Sequence, residues 1–279
     1  MLKTFDEPSP ARSFLFVPGN RPDRFLKACA SGAHEVIVDL EDAVPPADKL
    51  AAREIVDAWL NSEHPVIVRI NAVNTAWFAG DAALCRKPGV RAVILPKTEG
   101  VEHLRALEEQ AGGPVPILPL IETANGFSNS LAIAQDTAVR RLIFGALDFQ
   151  LDLGIHGNTH ELLYFRSQLV LFSRLAGIAP PVDGINTEID DAEPLRAATL
   201  RSRRLGFGGK LCIHPKQVSH VNECFRPTPE EIEWARRVIE AAEASKGAAV
   251  RAAGEMVDTP VMLRAARILR EAETSPADA

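Results

Sequence analysis

The sequence predicts an α/β protein, a (β/α)8 TIM barrel with a C-terminal helical extension. Three observations predict it. Eight short apolar runs alternate with segments whose apolar residues recur every three or four positions, as right-handed βαβ units require. No G-x-G-x-x-G follows the first run, which weakens the rival open, doubly wound sheet. Nearly every run ends in a polar or charged residue, and in a barrel those ends converge on one mouth.

The strand runs are SFLFV (13–17), EVIVDL (35–40), PVIVRI (65–70), RAVILP (91–96), VPILPLI (115–121), RLIFGA (141–146), VDGI (182–185) and GKLCI (209–213). Helical spacing fills PDRFLKACAS (22–31), DKLAAREIVDAWL (48–60), EGVEHLRALEEQ (99–110), ELLYFRSQLVLFSRLAG (161–177) and DAEPLRAATLRSRRLG (191–206). Several of these start at Asp, Glu or Pro and stop near Gly, as capping predicts. After Phe225 the alternation ends. RPTPEEIEWARRVIEAAEAS (226–245) is a helix with a strong start, KGAAVRAAG (246–254) reads as a loop, and TPVMLRAARILREAE (259–273) is a last helix. The expected division is a catalytic barrel over 1–225 and a helical extension over 226–279 that packs on a neighbouring subunit. The closing TSPADA reads as disordered.

Composition narrows the function classes. A net charge of -6 and sparse aromatics (6%) argue against a nucleic-acid partner. No run approaches the ~20 apolar residues of a membrane span. The four cysteines form no C-x-x-C pair. With an N-terminus unlike a signal peptide, they read as reduced thiols of a cytoplasmic protein.

The strand ends supply the chemistry. In order they deliver Pro18-Gly19-Asn20; Asp39, Glu41 and Asp42; Arg69 and Asn71; Lys97; Glu122 and Thr123; Asp148; Asp183; and His214 with Lys216. Glu122 and Asp148 leave adjacent strands. All-oxygen ligation without a His or Cys cluster suits Mg²⁺ or Mn²⁺, and Mg²⁺ commonly takes only one or two protein carboxylates. The alternative is that both acids pair with Arg69 or Lys97, since ion-pair networks look the same in sequence. Arg69 suits a substrate carboxylate or a developing oxyanion, and is equally able to bridge to Glu41 or Asp42. Lys97 is either a Schiff-base lysine of depressed pKa or an ion-paired cation among acids. His214, stiffened by Pro215, reads as a loop-orienting residue rather than a base or ligand.

Taken in order, RSFLFVPGNRPDRFLKA, VIVDLEDAVPPADK, VIVRINAVNTAWFAGD, VILPKTE, LIETANG, IFGALDFQLDLG, GFGGKLCIHPKQ and GEMVDTPVMLRAARIL resemble the citrate lyase β-subunit-like branch of the HpcH/HpaI aldolase superfamily. The resemblance spans almost the whole chain. It implies a (β/α)8 barrel, a homotrimer or dimer of trimers, and Mg²⁺ in the mouth. It implies carbon–carbon cleavage or formation between a 2-oxo acid, such as glyoxylate or oxaloacetate, and an acyl-CoA-type thioester. By residue, it implies Glu122 and Asp148 as metal ligands and Arg69 as the substrate-binding arginine. It implies Asp258 as an acid/base reaching a neighbouring subunit's site; capping the last helix is the alternative. The catalytic expectation is thus Arg69, Asp258 and Glu41. The substrate-binding expectation is Arg69, Glu122, Lys97 and Arg12, with Arg21 and Arg24 as further phosphate partners. Relatives often carry Glu before the metal-binding Asp, where this chain has Leu147, and QLDLGIHGN is not the usual continuation. An aldolase on free hydroxy-oxo acids and a non-catalytic metabolite-binding barrel remain the alternatives.

Overall fold

A computed structural model of the chain describes residues 11–244, 250–252 and 255–273. Within it are two compact units, 11–222 and, among the described residues, 223–273.

The first unit is a closed barrel of eight parallel strands in sequence order. They are β1 (Ser13–Pro18), β2 (Glu35–Asp39), β3 (Val66–Arg69), β4 (Val90–Leu95), β5 (Ile117–Ile121), β6 (Arg141–Phe144), β7 (Ala179–Asp183) and β8 (Gly209–Cys212). Its helices are α1 (Phe25–Cys29), α2 (Lys49–Trp59), α3 (Phe78–Ala82), α4 (Val101–Gln110), α5 (Ala124–Ser128), α6 (Ser130–Ala134), α7 (Ala146–Leu153), α8 (Leu163–Ala176), α9 (Ala192–Leu205) and α10 (Lys216–Phe225), the last running just past it.

Side chains alternate between the barrel interior and the helix layer, with the period of two that a strand imposes. Phe14, Ile37, Ile67, Ile94, Leu118, Leu120, Ile143, Val182 and Leu211 fill the interior. Continuing the same alternation toward the C-terminal ends brings Asp39, Arg69 and Glu122 inward above that plug. This register, with Asp39 opposite Arg69, decides which charges line the mouth.

The seventh strand starts three residues earlier than the sequence suggested. Pro180 and Pro181 remove two ladder donors and so masked it, yet their carbonyls still accept. The Arg141 guanidinium donates to the carbonyl of Pro180, and Gly208 N–H to that of Pro181 at 3.0 Å. The register beside it slips between Arg141 and Ile143. The sequence pattern misses the short helices α3, α5, α6 and α7, because segments of one or two turns are too brief to establish a helical period, and it also misses the ten-residue α10.

In the second unit, α11 (Pro229–Ala244) and α12 (Thr259–Glu273) share a core of Ala235, Val238, Ala242, Val257, Ala265 and Ile268. The α11 start is a capping box. Glu231 N–H donates to Thr228 Oγ1 at 3.2 Å, and Thr228 N–H to Glu231 Oε2 at 2.8 Å. Part of the expected 246–254 loop is instead β9 (Val250–Ala252), antiparallel to β10 (Glu255–Val257). The expected disorder at 274–279 lies outside the described residues. No helix among the described residues is long and apolar enough to cross a membrane.

Candidate active site

The mouth is organised around Arg69 at the end of β3. Its Nε donates to Asp39 Oδ1 at 2.7 Å and its Nη2 to Asp39 Oδ2 at 2.6 Å, a bidentate fork that locks the guanidinium plane. Nη1 lies 2.9 Å from Glu41 Oε2 and 3.7 Å from Asp42 Oδ2, and the guanidinium sits 4.6 Å over the Phe16 ring. Burial alone would lower the Arg69 pKa. Asp39, Glu41 and Asp42 outweigh it and hold the group above its ordinary value. Arg69 is therefore a fixed, permanent cation.

Glu41 carries the network onward. Lys97 Nζ donates to its Oε1 at 2.7 Å, while its buried Oε2 has no hydrogen-bond partner of good geometry among the described residues. Burial raises the Glu41 pKa, with Arg69 and Lys97 opposing. Lys97 is the only non-glycine residue with positive φ among those described (φ 49°). That turn aims its backbone N–H at Glu122 Oε1, 2.7 Å away, while Nζ lies 3.9 Å from the same oxygen. Burial works to lower the Lys97 pKa, but the hydrogen bond and field of Glu41 raise it. Lys97 is thus the ion-paired cation, not a neutral amine poised for a Schiff base.

Glu122 is 2% exposed. Burial, then the neighbouring Glu41 and Asp148 charges, push its pKa up to about 8 against the pull of Lys97. Its Oε2 faces Gly145, where an added Cβ would come within 2.6 Å of Glu122 Cβ and 2.7 Å of Oε2. Glycine leaves that space open directly beside the first turn of α7, which carries Asp148. Asp148 is half-buried, and Leu147 beside it points outward at 43% exposure. Among the described residues no group of three or more His, Cys, Asp or Glu side chains forms a cage. A two-carboxylate set with an open flank is what Mg²⁺ accepts, the remaining positions going to water and substrate. A buried carboxylate held near-neutral by its surroundings is also one that a dication would return to the ionised form. The residues present fit the ion.

The structure thus brings Arg69, Glu41, Lys97 and Glu122 into one contact chain, with Asp148 next to Glu122. It does not bring Arg12 to them. Arg12 precedes β1, at the N-terminal end of the barrel, and is buried there. Arg21 pairs with Asp23 at 2.9 Å on the exposed loop after β1, near Arg24. Asp258 belongs to the second unit. There its Oδ1 accepts from Val261 N–H at 3.3 Å and caps α12. His214 accepts the Lys216 N–H at 3.2 Å, a loop-orienting contact. Asp183 leaves the mouth altogether. It faces the helix layer, where Arg166 Nε donates to it at 3.0 Å, Ser202 Oγ donates to it, and Lys210 Nζ lies 3.5 Å away. Burial alone would raise the Asp183 pKa, but Lys210 and Arg166 lower it to about 2.

The sequence pattern places Asp39 and Asn71 at strand ends without showing that Asp39 anchors Arg69, and it marks neither Lys49 nor Asp81 beneath the mouth. The signal for Asp39 was present: in VIVDL it falls two residues after the inward-facing Ile37.

A model of the HpcH/HpaI aldolase/citrate lyase family matches residues 12–215. The citrate lyase subunit beta-like protein of Deinococcus radiodurans is 37% identical, over 94% of this chain and 97% of its own. The L-malyl-CoA/beta-methylmalyl-CoA lyase of Cereibacter sphaeroides is 34% identical, over 95% of each. Among solved structures, protein CitE from Mycobacterium tuberculosis in complex with magnesium, acetoacetate and coenzyme A superposes with a TM-score of 0.84. It is 34% identical over 94% of this chain and 98% of its own. The chain therefore belongs to the HpcH/HpaI aldolase/citrate lyase family and is an enzyme of the lyase type.

Proposed function

We propose that the protein is a Mg²⁺-dependent carbon–carbon lyase that cleaves or forms a β-hydroxyacyl-CoA-type thioester, exchanging it with an acyl-CoA and a 2-oxo acid such as glyoxylate or oxaloacetate. The observation that carries this reading is the Asp39–Arg69–Glu41–Lys97–Glu122 chain at the barrel mouth, with Asp148 beside it. Glu122 and Asp148 would hold Mg²⁺, which supplies Lewis acidity and a template for the carboxylate and carbonyl of the 2-oxo acid.

In the cleavage direction, the β-hydroxyl O–H breaks and its proton passes to Glu41. Its Oε2 makes no hydrogen bond of good geometry and has Arg69 Nη1 2.9 Å away as its ion-pair partner, while burial raises the Glu41 pKa against the pull of Arg69 and Lys97. The oxygen's electrons form the new C=O, the C–C bond breaks, and the electron pair moves into the thioester as an enolate. Arg69, locked by Asp39, offers its outer N–H edge to that negative charge without reorganising. Lys97 holds Glu41 and Glu122 apart by bonding both. Protonation of the enolate at its α-carbon completes the acyl thioester, and we assign that proton to Asp258 of a second copy. The support for Asp258 is the resemblance of GEMVDTP to its relatives' acid/base segment.

Incubation with Mg²⁺ and a panel of acyl-CoA thioesters and free acids, each with a 2-oxo acid, tests the reading. Condensation confined to thioesters supports it. Turnover of free hydroxy-oxo acids alone would replace it with the CoA-independent aldolase, and no turnover with any pair would leave a metabolite-binding barrel.

A further inference from the structure

Directly beneath the mouth lies a cation that the chemistry above does not use. Lys49, the first residue of α2, is only 7% exposed. Its ammonium has three protons and finds three acceptors: the carbonyl of Leu40 at 2.8 Å, the carbonyl of Glu41 at 2.7 Å and Asn71 Oδ1 at 2.7 Å. The fourth side is covered by the Trp77 ring, 5.4 Å from Nζ to its centroid. Leu40 and Glu41 leave β2, and Asn71 lies two residues beyond Arg69 on the segment leaving β3. The ammonium therefore ties together the two exits that carry Glu41 and Arg69.

The tie is itself braced. Asn71 Nδ2 donates to the Leu40 carbonyl at 2.9 Å and to Asp81 Oδ2 at 2.6 Å, and Asn71 N–H reaches the same Asp81 oxygen at 3.1 Å. Arg53 Nη1 lies 3.4 Å from Asp81 Oδ1. The whole arrangement points backbone carbonyls downward into the protein, so that the Glu41 side chain is free to face Lys97 and Arg69 above.

We propose that Lys49 is a positioning residue for the Glu41–Arg69 pair, setting the geometry in which the pair meets the substrate. The inference rests on the lyase reading of the mouth. No common replacement reproduces it. Methionine matches the stem and donates nothing, and arginine's planar fork cannot direct three bonds from one atom. Without the ammonium, two backbone carbonyls and an amide oxygen lose a partner together, and the β2 exit moves to recover hydration. A displacement of the order of 1 Å at a reacting pair is enough to cost roughly 100-fold in rate.

The test compares wild type, Lys49→Met, Lys49→Arg and Lys49→Ala under Mg²⁺ with a thioester that the wild type turns over. Circular dichroism confirms the folded fraction, and if Lys49→Met does not fold, Lys49→Gln takes its place. Expected in folded Lys49→Met is a kcat lower by about 100-fold with KM changed far less. Mg²⁺ affinity should stay within about twofold by titration calorimetry, because none of the three bonds of Lys49 touches Glu122 or Asp148. Lys49→Arg is expected to remain impaired. Added propylamine should restore part of kcat in Lys49→Ala, since the ammonium itself is what the site lacks. Wild-type kcat in folded Lys49→Met would overturn the proposal. So would a loss that only tracks the unfolded fraction and does not respond to amine. Absence of turnover in the wild type would instead overturn the lyase reading, so the two failures are distinct.

Discussion

Replacing Glu122 by Gln separates a metal ligand from an ordinary buried acid. In the metal-free protein, burial and the Glu41 charge push the Glu122 pKa from 4.5 up to about 8. The folded value lies above the unfolded one. Its contribution is therefore fully present below about pH 4.5 and is lost as pH rises through 8. The difference is about 3.5 units, or about 5 kcal/mol at 1.36 kcal/mol per unit. Gln keeps an oxygen for the Lys97 N–H and has no charge to desolvate. In EDTA, Glu122→Gln should thus match wild type near pH 4.5 and exceed it increasingly toward pH 8.5. For a chain of this length that corresponds to a melting-temperature gap of roughly 10–20 °C. Saturating Mg²⁺ should close or invert the gap, because the dication stabilises only the wild-type carboxylate. Thermal melts across pH, with and without EDTA, read both effects. Parallel pH profiles for the two proteins in EDTA would refute the reasoning, as would a Mg²⁺ response equal in both.

Three further outcomes are expected. Arg69→Lys keeps the charge but cannot reproduce the Nε/Nη2 fork on Asp39, so steady-state kinetics should show kcat falling roughly 100- to 1,000-fold with a smaller rise in KM; a pure KM effect would make Arg69 a ground-state carboxylate clamp. Asp183, held at about 2 against an ordinary 3.8, contributes stability above about pH 4 that is lost as pH falls toward 2; in urea melts Asp183→Asn should flatten that acid limb and cost about 3–5 kcal/mol at pH 7, since it leaves Arg166 and Lys210 buried without their counter-charge. Mixing inactive Asp258→Ala with inactive Glu122→Gln subunits should recover part of the activity if Asp258 serves a neighbouring site; no recovery in demonstrated mixed oligomers would leave Asp258 as the cap of α12.

The barrel was legible because its cause is local. Most strands carry a continuous apolar run, and the polar residue ending it marks the mouth. Glu122 and Arg69 could be placed from that rule alone, since alternation along a strand says which way each points; Lys97 lies beyond β4, where the same alternation would turn it outward, and it reaches the mouth through its left-handed backbone. What the rule cannot supply is depth. Asp183 ends its strand like the others, but it follows the inward-facing Val182 and so turns outward to Arg166 and Lys210. Arg12 stands one residue before a strand, where the same rule puts it at the opposite end. The distinction between ligand and ion pair also lay beyond the sequence. The Glu122 bond to a backbone N–H depends on the positive φ of Lys97, and neither is written in a residue type. Lys49 stands in the sequence only as a residue near the start of the helical segment 48–60. Only the fold brings the Leu40, Glu41 and Asn71 acceptors around it.

Product stoichiometry separates Mg²⁺-dependent carbon–carbon cleavage from hydrolysis of the thioester. Purified protein is given a β-hydroxyacyl-CoA that it turns over, and the released 2-oxo acid, acyl-CoA and free CoA are quantified together by mass spectrometry, with Mg²⁺ and with EDTA. Equal amounts of 2-oxo acid and acyl-CoA are expected, with no free CoA beyond background and no products in EDTA. Free CoA released without a 2-oxo acid, or cleavage that proceeds undiminished in EDTA, would contradict the lyase reading.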